Sequence, residues 1–183
     1  RGINGSGVRG INGSGVRGIN GSGVRGRGYE SAAIGPVEAI EITGQTAVLR
    51  IAGQTYIASA DVAGSFSLGD YVVAASEAGG AADVLYLVGE QYVPGASTVL
   101  VVGPIGAVQT SLGNIAIGDV VVDYSAHLAA EPTYLPQAGD VVEVEGIQPV
   151  PGDRIIVGPG DEAVVTQSSV EGKGLHTVSG VRR

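Results

Sequence analysis

The groups in this chain that could do chemistry are few and stand apart from one another. His127 and His176 are its two histidines, and with no cysteine in the sequence neither has a thiolate companion at metal-ligand spacing. A solvated loop position is expected for His127, and a hydrogen-bonding one for His176. The acids Asp61, Asp70, Asp83, Asp119, Asp123, Asp140, Asp153 and Asp161 fall singly, and no Asp-x-Asp-x-Asp-Gly loop exists. That excludes an EF-hand, and calcium could be held only by a site assembled from separate loops. Gly158-Pro159-Gly160-Asp161-Glu162-Ala163 fits a relaxed dinucleotide-binding pattern. Proline there removes a phosphate-facing donor, and Val164-Val165-Thr166 favours a strand where a helix is needed, so the reading is rejected. There is no Gly-x-Ser-x-Gly elbow and no Walker loop. The seven tyrosines could stack on a sugar or on single-stranded nucleic acid. With few basic residues near them, core or sheet-face packing is the better expectation. No catalytic residue, metal or cofactor is assigned, and the chain is expected not to be an enzyme.

What the sequence offers instead is repetition. Arg-Gly-Ile-Asn-Gly-Ser-Gly-Val occurs three times without error from Arg1 to Val24, and a fourth copy breaks off at Arg25-Gly26-Arg27-Gly28. Eight is even, so on an extended strand every copy keeps the same two faces. Arg1, Ile3, Gly5 and Gly7 share one face; Gly2, Asn4, Ser6 and Val8 share the other. A helix is excluded, since each glycine costs about 1 kcal/mol against alanine. One branched residue per face cannot offset roughly 1–2 kcal/mol of ordering entropy per residue, so the arm alone is expected to be a linker. Order would come from a partner surface, with asparagine ladders at Asn4, Asn12 and Asn20. The expected assembly contacts are Arg1, Ile3, Asn4, Val8, Arg9, Ile11, Asn12, Val16, Arg17, Ile19, Asn20 and Val24. A degraded copy closes the chain: Lys173-Gly174-Leu175-His176-Thr177-Val178-Ser179-Gly180-Val181-Arg182. Leu175, His176, Val178, Val181 and Arg182 are the matching contacts of this tail.

The elements between arm and tail must be strands. Hydrophobic residues make up 44% of the 183 residues, mostly Val, Ile and Ala, with 32 glycines and 8 prolines between them. That pattern points to short strands and turns. The best helical candidate, Ser76 to Leu87, is interrupted by Gly79-Gly80. Charge is divided unevenly. Arg1, Arg9, Arg17, Arg25 and Arg27 make the arm basic, Glu30 to Glu171 is acidic, and Lys173, Arg182 and Arg183 make the tail basic again. The net charge of −8 argues against nucleic acid as a partner of the body. No run of 18 apolar residues or signal peptide is visible, and no methionine occurs, so Arg1 is expected to follow processing or to open a fragment.

A weaker internal repeat divides the body. Ile34-Gly35-Pro36-Val37-Glu38-Ala39-Ile40 matches Val102-Gly103-Pro104-Ile105-Gly106-Ala107-Val108, and Leu68-Gly69-Asp70-Tyr71-Val72-Val73 matches Ala138-Gly139-Asp140-Val141-Val142-Glu143. Gly89 to Gly95 matches Gly146 to Gly152 in the same order. The expected organisation is an octapeptide arm over 1–28, β modules over 29–95 and 96–158, and an extended tail over 159–183. Strands are expected at Val37–Ile42, Thr46–Ile51, Thr55–Ala58, Asp70–Ala75 and Val84–Gly89. In the second module they are expected at Ile105–Thr110, Ile115–Ile117, Val120–Tyr124, Asp140–Glu145 and Arg154–Val157. Val37, Ala39 and Glu41 are expected to face one way. The fold class is all-β: two tandem small β-barrel, OB-like or half-sandwich modules.

From Ile34 to Gly158 the order G-x-[VI]-x-A-[VI], short turn, V-x-[IV]-x-G, loop, [LA]-G-D-x-V-x-V-x-G resembles OB-like domains of secreted bacterial proteins, some preceded by GINGSG-type repeats. The long insert from Ala74 to Tyr86 departs from that pattern. The resemblance implies a secreted barrel and assigns no reaction. Together these readings predict an extracellular filament or matrix subunit that polymerises with copies of itself by strand addition. The alternative is a monomeric surface module on a flexible stalk, recognising a polysaccharide or cell-surface ligand.

Overall fold

Two Gly-Pro pairs, at Gly35-Pro36 and Gly103-Pro104, mark the points about which the chain is organised. Our computed structural model describes residues 29–130, 136–158 and 163–167. The octad arm, His176 and all the tail contacts lie outside the described residues. Of those described, 53% are in strands and 8% in helix, which makes the protein mostly β.

The first strands are β1 (Ser31–Thr43), β2 (Thr46–Ile51), β3 (Gln54–Ser59), β4 (Tyr71–Ser76) and β5 (Val84–Leu87). They are followed by β6 (Thr98–Gln109), β7 (Asn114–Ile117), β8 (Val120–Asp123), β9 (Val141–Ile147), β10 (Ile155–Ile156) and β11 (Ala163–Gln167). A one-turn helix α1 (Ala60–Ala63) joins β3 to β4, and α2 (Ser125–Ala130) lies between β8 and β9. Ser59 caps α1, its hydroxyl accepting from the Val62 amide at 3.3 Å. His127 lies in α2.

β1 and β6 are longer than the sequence leads one to expect, because each changes partners half-way. β1 pairs β4 from Ser31 to Pro36 and β2 from Val37 to Thr43. On its other edge it pairs β6 from Ala32 to Ile34. Val37 donates to the Asp70 carbonyl at 2.8 Å, so odd-numbered residues bond to β4 and the missing amide of Pro36 faces the other edge. That edge is vacated by β6 at Ile34 and taken up by β2 at Val37. Pro104 sits likewise, between the last β1 partner at Val102 and the first β7 partner at Ile105. Proline there removes no ladder bond, which is why it is tolerated in mid-strand.

Register shifts follow both prolines, between Val37 and Ala39 and between Ile105 and Ala107. The first corrects the expected alternation. Val37 lies opposite buried Ile51, and Ile40 opposite buried Leu49, so Val37 faces inward with Ile40, not outward with Ala39 and Glu41. The extra residue of a bulge inverts every side chain beyond it.

Two sheet paths result. β6, β7, β8, β10 and β9 close on one another as a five-stranded barrel, with β8 and β10 its one parallel pair. The order β5-β4-β1-β6-β9-β11 is antiparallel throughout and passes across the middle of the molecule. At its centre Ala32, Ala33 and Ile34 pair with Val102, Val101 and Leu100. Given the sequence match of Ile34 with Val102, that pairing sets corresponding residues opposite each other about Ala33 and Val101. β1, β2 and β3 form a meander, and a single parallel bridge, Ile57 to Ala81, links β3 to the segment leading into β5.

The core runs through the described strands as a continuous set of Val, Ile and Ala with Leu49, Tyr56 and Tyr71. Ser76–Leu87, the helical candidate, is the end of β4, a loop and β5. Gly79 and Gly80 both take positive φ in that loop, at 64° and 77°.

Candidate functional site

Polar side chains converge where the β2–β3 turn meets the β7–β8 turn. The Asp119 amide donates to the Gly53 carbonyl at 3.0 Å. Gly53 has φ +71°, and a Cβ there would lie 2.4 Å from Val120 Cβ, so both backbone shape and space demand glycine. Buried Gln54 donates from Nε2 to the Ile117 carbonyl at 2.7 Å. Beside this seam the Glu38 carboxylate, its side chain 5% exposed, accepts from the amides of Gly53 at 3.1 Å and Gly152 at 3.2 Å and from Gln148 Nε2 at 3.3 Å. Arg50 Nε lies 3.3 Å from Glu38 Oε2 and Arg50 Nη2 3.8 Å from Asp119. The Arg50 Nε contact is an ion pair without hydrogen-bond alignment.

This cluster fastens separate segments to one another. Both Glu38 oxygens are engaged by donors from three segments, and no nucleophile is among them. The neighbouring tyrosines behave the same way. Tyr92 donates to the Gln148 carbonyl at 2.8 Å, and its ring meets that of Tyr71 at a tilt of 49° with 5.7 Å between centroids. Tyr71 donates to the Thr98 carbonyl, and the Tyr56 hydroxyl lies 3.1 Å from Ser31 Oγ. Burial pushes Tyr92 up to about 12, with the Glu38 charge adding to it, and raises Tyr56 and Tyr71 further. All three lie in the core, where the sequence reading places tyrosines. Among the described residues no cluster of three or more His, Asp or Glu could hold a metal ion. No helix among them is long and apolar enough to cross a membrane.

The surface feature that stands out is an edge. Among the described strands β5 pairs with β4 alone. Val88 donates to the Tyr71 carbonyl at 2.8 Å, so by antiparallel alternation Tyr86 and Val84 also bond inward, while Leu85 and Leu87 turn their N–H and C=O groups away from β4. Those outward groups have no partner among the described residues. Val84, Leu85 and Tyr86 pack on the core and Leu87 is 50% exposed. An apolar edge that the described residues leave uncovered is a template for a further strand. Sequence reasoning placed the strand but not its exposure, because edge or interior position is a property of topology and leaves no mark in four residues. β11 ends the same sheet path at the other side, paired with β9 alone among the described strands.

The charge pattern surrounds this edge. Residues 29–167 contain 17 of the 18 acids and two cations, Arg50 and Arg154. Both cations are committed to acids of the body, Arg50 at the seam and Arg154 4.0 Å from Asp123. Asp123 is held below the usual carboxylate range, first by the Ser125 hydroxyl that donates to it. Set against protein-family models, curated proteins and solved structures, the chain matches none.

Proposed function

We propose that this protein is a non-enzymatic structural subunit that assembles with copies of itself by strand addition. The observation that carries the reading is the uncovered edge of a continuous antiparallel sheet on a body whose charge is opposite to that of its leading arm. Sheet edges recruit extended segments through main-chain hydrogen bonds, and alternate side chains set the register. The octads supply such a segment: even period, a branched residue on each face, and glycines that admit close backbone approach. Electrostatic attraction between arm and body works between molecules as well as within one. Pairing between different surfaces of successive copies leaves the assembly open, which yields a filament instead of a closed ring. The composition suits an extracellular or cell-surface setting.

We also infer that residues 29–95 and 96–158 are tandem OB-like modules. Support comes from pairs of equivalent contacts. Gly69 donates to the Val37 carbonyl and Gly139 to the Ile105 carbonyl, at 2.9 and 2.8 Å. Asp70 and Asp140 each accept from the amide three residues earlier, Ser67 and Gln137. In each region a parallel contact joins the third strand to the segment after the fourth, and a short helix precedes the fourth.

Negative-stain microscopy of the full chain and of a chain lacking Arg1–Val24 tests the assembly reading. Filaments from the first and dispersed particles from the second are expected. Equal filaments from both would refute it.

A further inference from the structure

We propose that the open edge of β5 is the acceptor for an octad of a second copy, an inference that rests on the strand-addition reading above. The fit is chemical at three levels. The backbone groups of Leu85 and Leu87 point outward without a described partner, and an extended octad would satisfy them. The strand itself is apolar, Val84-Leu85-Tyr86-Leu87, and the octad offers one branched side chain to each face, Ile3 and Val8 in the first copy. Carboxylates bracket the strand: Asp83 directly before it and Glu90 three residues after it.

Glu77 and Glu30 extend this acidic patch at the Val84 end. The Glu77 amide donates to Asp83 Oδ2 at 2.7 Å, and Glu30 Oε2 accepts from the Gly79 amide at 3.1 Å. None of these four acids makes an ion pair with a described cation. Each octad carries an arginine at its start and meets the next arginine eight residues on. Asp83 and Glu90 stand seven residues apart, so a bound octad brings a guanidinium to each end of the strand.

The length of the arm decides between its own body and a neighbour. Three octads extend about 80 Å at roughly 3.3 Å per residue. A body of this size has a radius of gyration of about 14 Å. The β5 edge occupies four residues, half an octad. An arm therefore carries more docking units than its own body has β5 edges, and the surplus reaches other copies. The arm departs beside the same patch, since Glu30 donates to the Ser76 carbonyl at 2.8 Å, at the end of β4 where Val84 pairs with Ala75.

The test uses full-length protein in sedimentation velocity, with Leu87→Pro, Leu87→Ala and an Asp83→Asn/Glu90→Gln variant. Proline at 87 deletes an outward amide that β4 does not use, whereas alanine keeps it. Leu87→Pro is expected to lower the assembled fraction at least tenfold with an unchanged circular dichroism spectrum. Leu87→Ala should assemble within about threefold of the parent, and the charge variant should assemble less and with a weaker response to salt. Should Leu87→Pro unfold, disulfide trapping decides. The chain has no cysteine, so Leu87→Cys in one copy and Val8→Cys in another give a unique cross-link on oxidation. A folded Leu87→Pro protein that assembles normally, or assembled material that yields no such cross-link, overturns the acceptor. If in that case removal of Arg1–Val24 still abolishes assembly, strand addition stands and only its acceptor is wrong. If removal changes nothing, the function itself is wrong.

Discussion

Residues 29–95 and 96–158 share equivalent contacts and differ in how their strands are joined. In the later region β10 lies between β8 and β9 and pairs with both. Among the described residues of the earlier one a single bridge, Ile57 to Ala81, stands in that place, and β5 beyond it pairs with β4 alone. A second difference sits just beyond the prolines. Glu38 reaches into the seam, whereas at its counterpart Gly106 a Cβ would make only an ordinary contact, with the Ala116 carbonyl oxygen at 3.9 Å. One region is thus closed by a short strand and the other bridged at one described residue pair, and Glu38 of the earlier fastens it to Gln148 and Gly152 of the later.

The sharpest way to break the comparison is at the seam. Gly53→Ala forces a Cβ into Val120 at positive φ and is expected to cost about 3–4 kcal/mol, adding overpacking to backbone strain. Gly44→Ala, in the neighbouring hairpin at φ +63° with nothing within 4 Å, should cost only about 1 kcal/mol. Urea denaturation of both variants measures the difference. Similar losses would mean that the two turns do not press on each other.

Next in size is the Glu38 and Gly106 pair. Glu38→Ala leaves the Gly53 and Gly152 amides without their acceptor, Gln148 with the Asp153 carbonyl alone and Arg50 without its nearer ion-pair partner, and about 2–3 kcal/mol of stability should be lost. Gly106→Ala should change stability by less than about 1 kcal/mol in either direction, and a small gain is expected from the reduced freedom of the unfolded chain. The same denaturation experiment checks both. A Glu38→Ala protein as stable as its parent would remove the clasp from the account.

Alkali should act on both regions, since burial also raises Tyr124 in the later one, and more strongly on the earlier, which holds more such tyrosines. Tyr56, Tyr71 and Tyr92 belong to the earlier region and all ionise above their ordinary value of 10, Tyr92 at about 12. A raised folded value means the neutral form is favoured by folding. Its contribution is complete below pH 10 and is lost as the pH climbs through the folded value. Stability should therefore fall between pH 10 and about 12, with phenolate absorbance rising alongside unfolding. Tyr92→Phe should flatten that fall. Tyrosines that titrate near 10 in the folded protein would contradict their burial.

Much of this fold is legible in the sequence. Alternation found β2 as Thr46–Ile51 without error and placed most other strands within two residues. What escaped has physical causes. The first halves of β1 and β6 were hidden because proline reads as a strand start, whereas Pro36 and Pro104 sit where neighbouring strands change over. The inversion after Val37 comes from a bulge, which depends on pairing rather than composition. The helices span four and six residues, too short to show periodicity. The seam around Glu38 joins residues more than a hundred positions apart, and no local pattern encodes such a meeting. The expected assembly contacts of arm and tail fall outside the described residues.

The smallest expected effect is that of salt. Raising ionic strength from 0.05 to 0.5 M should weaken assembly several-fold, since exposed charges are screened within about 10 Å at 0.1 M. It should leave the unfolding midpoint of the body nearly unchanged. Assembly indifferent to salt would remove the arm's charge from the comparison.

Amide hydrogen exchange at Leu85 and Leu87 tests the central claim most directly. In assembled full-length protein these two amides should be protected at least a hundredfold more than in a chain without Arg1–Val24, while inward-bonded Tyr86 changes little. Equal exchange at Leu85 and Leu87 in the two proteins would contradict the account.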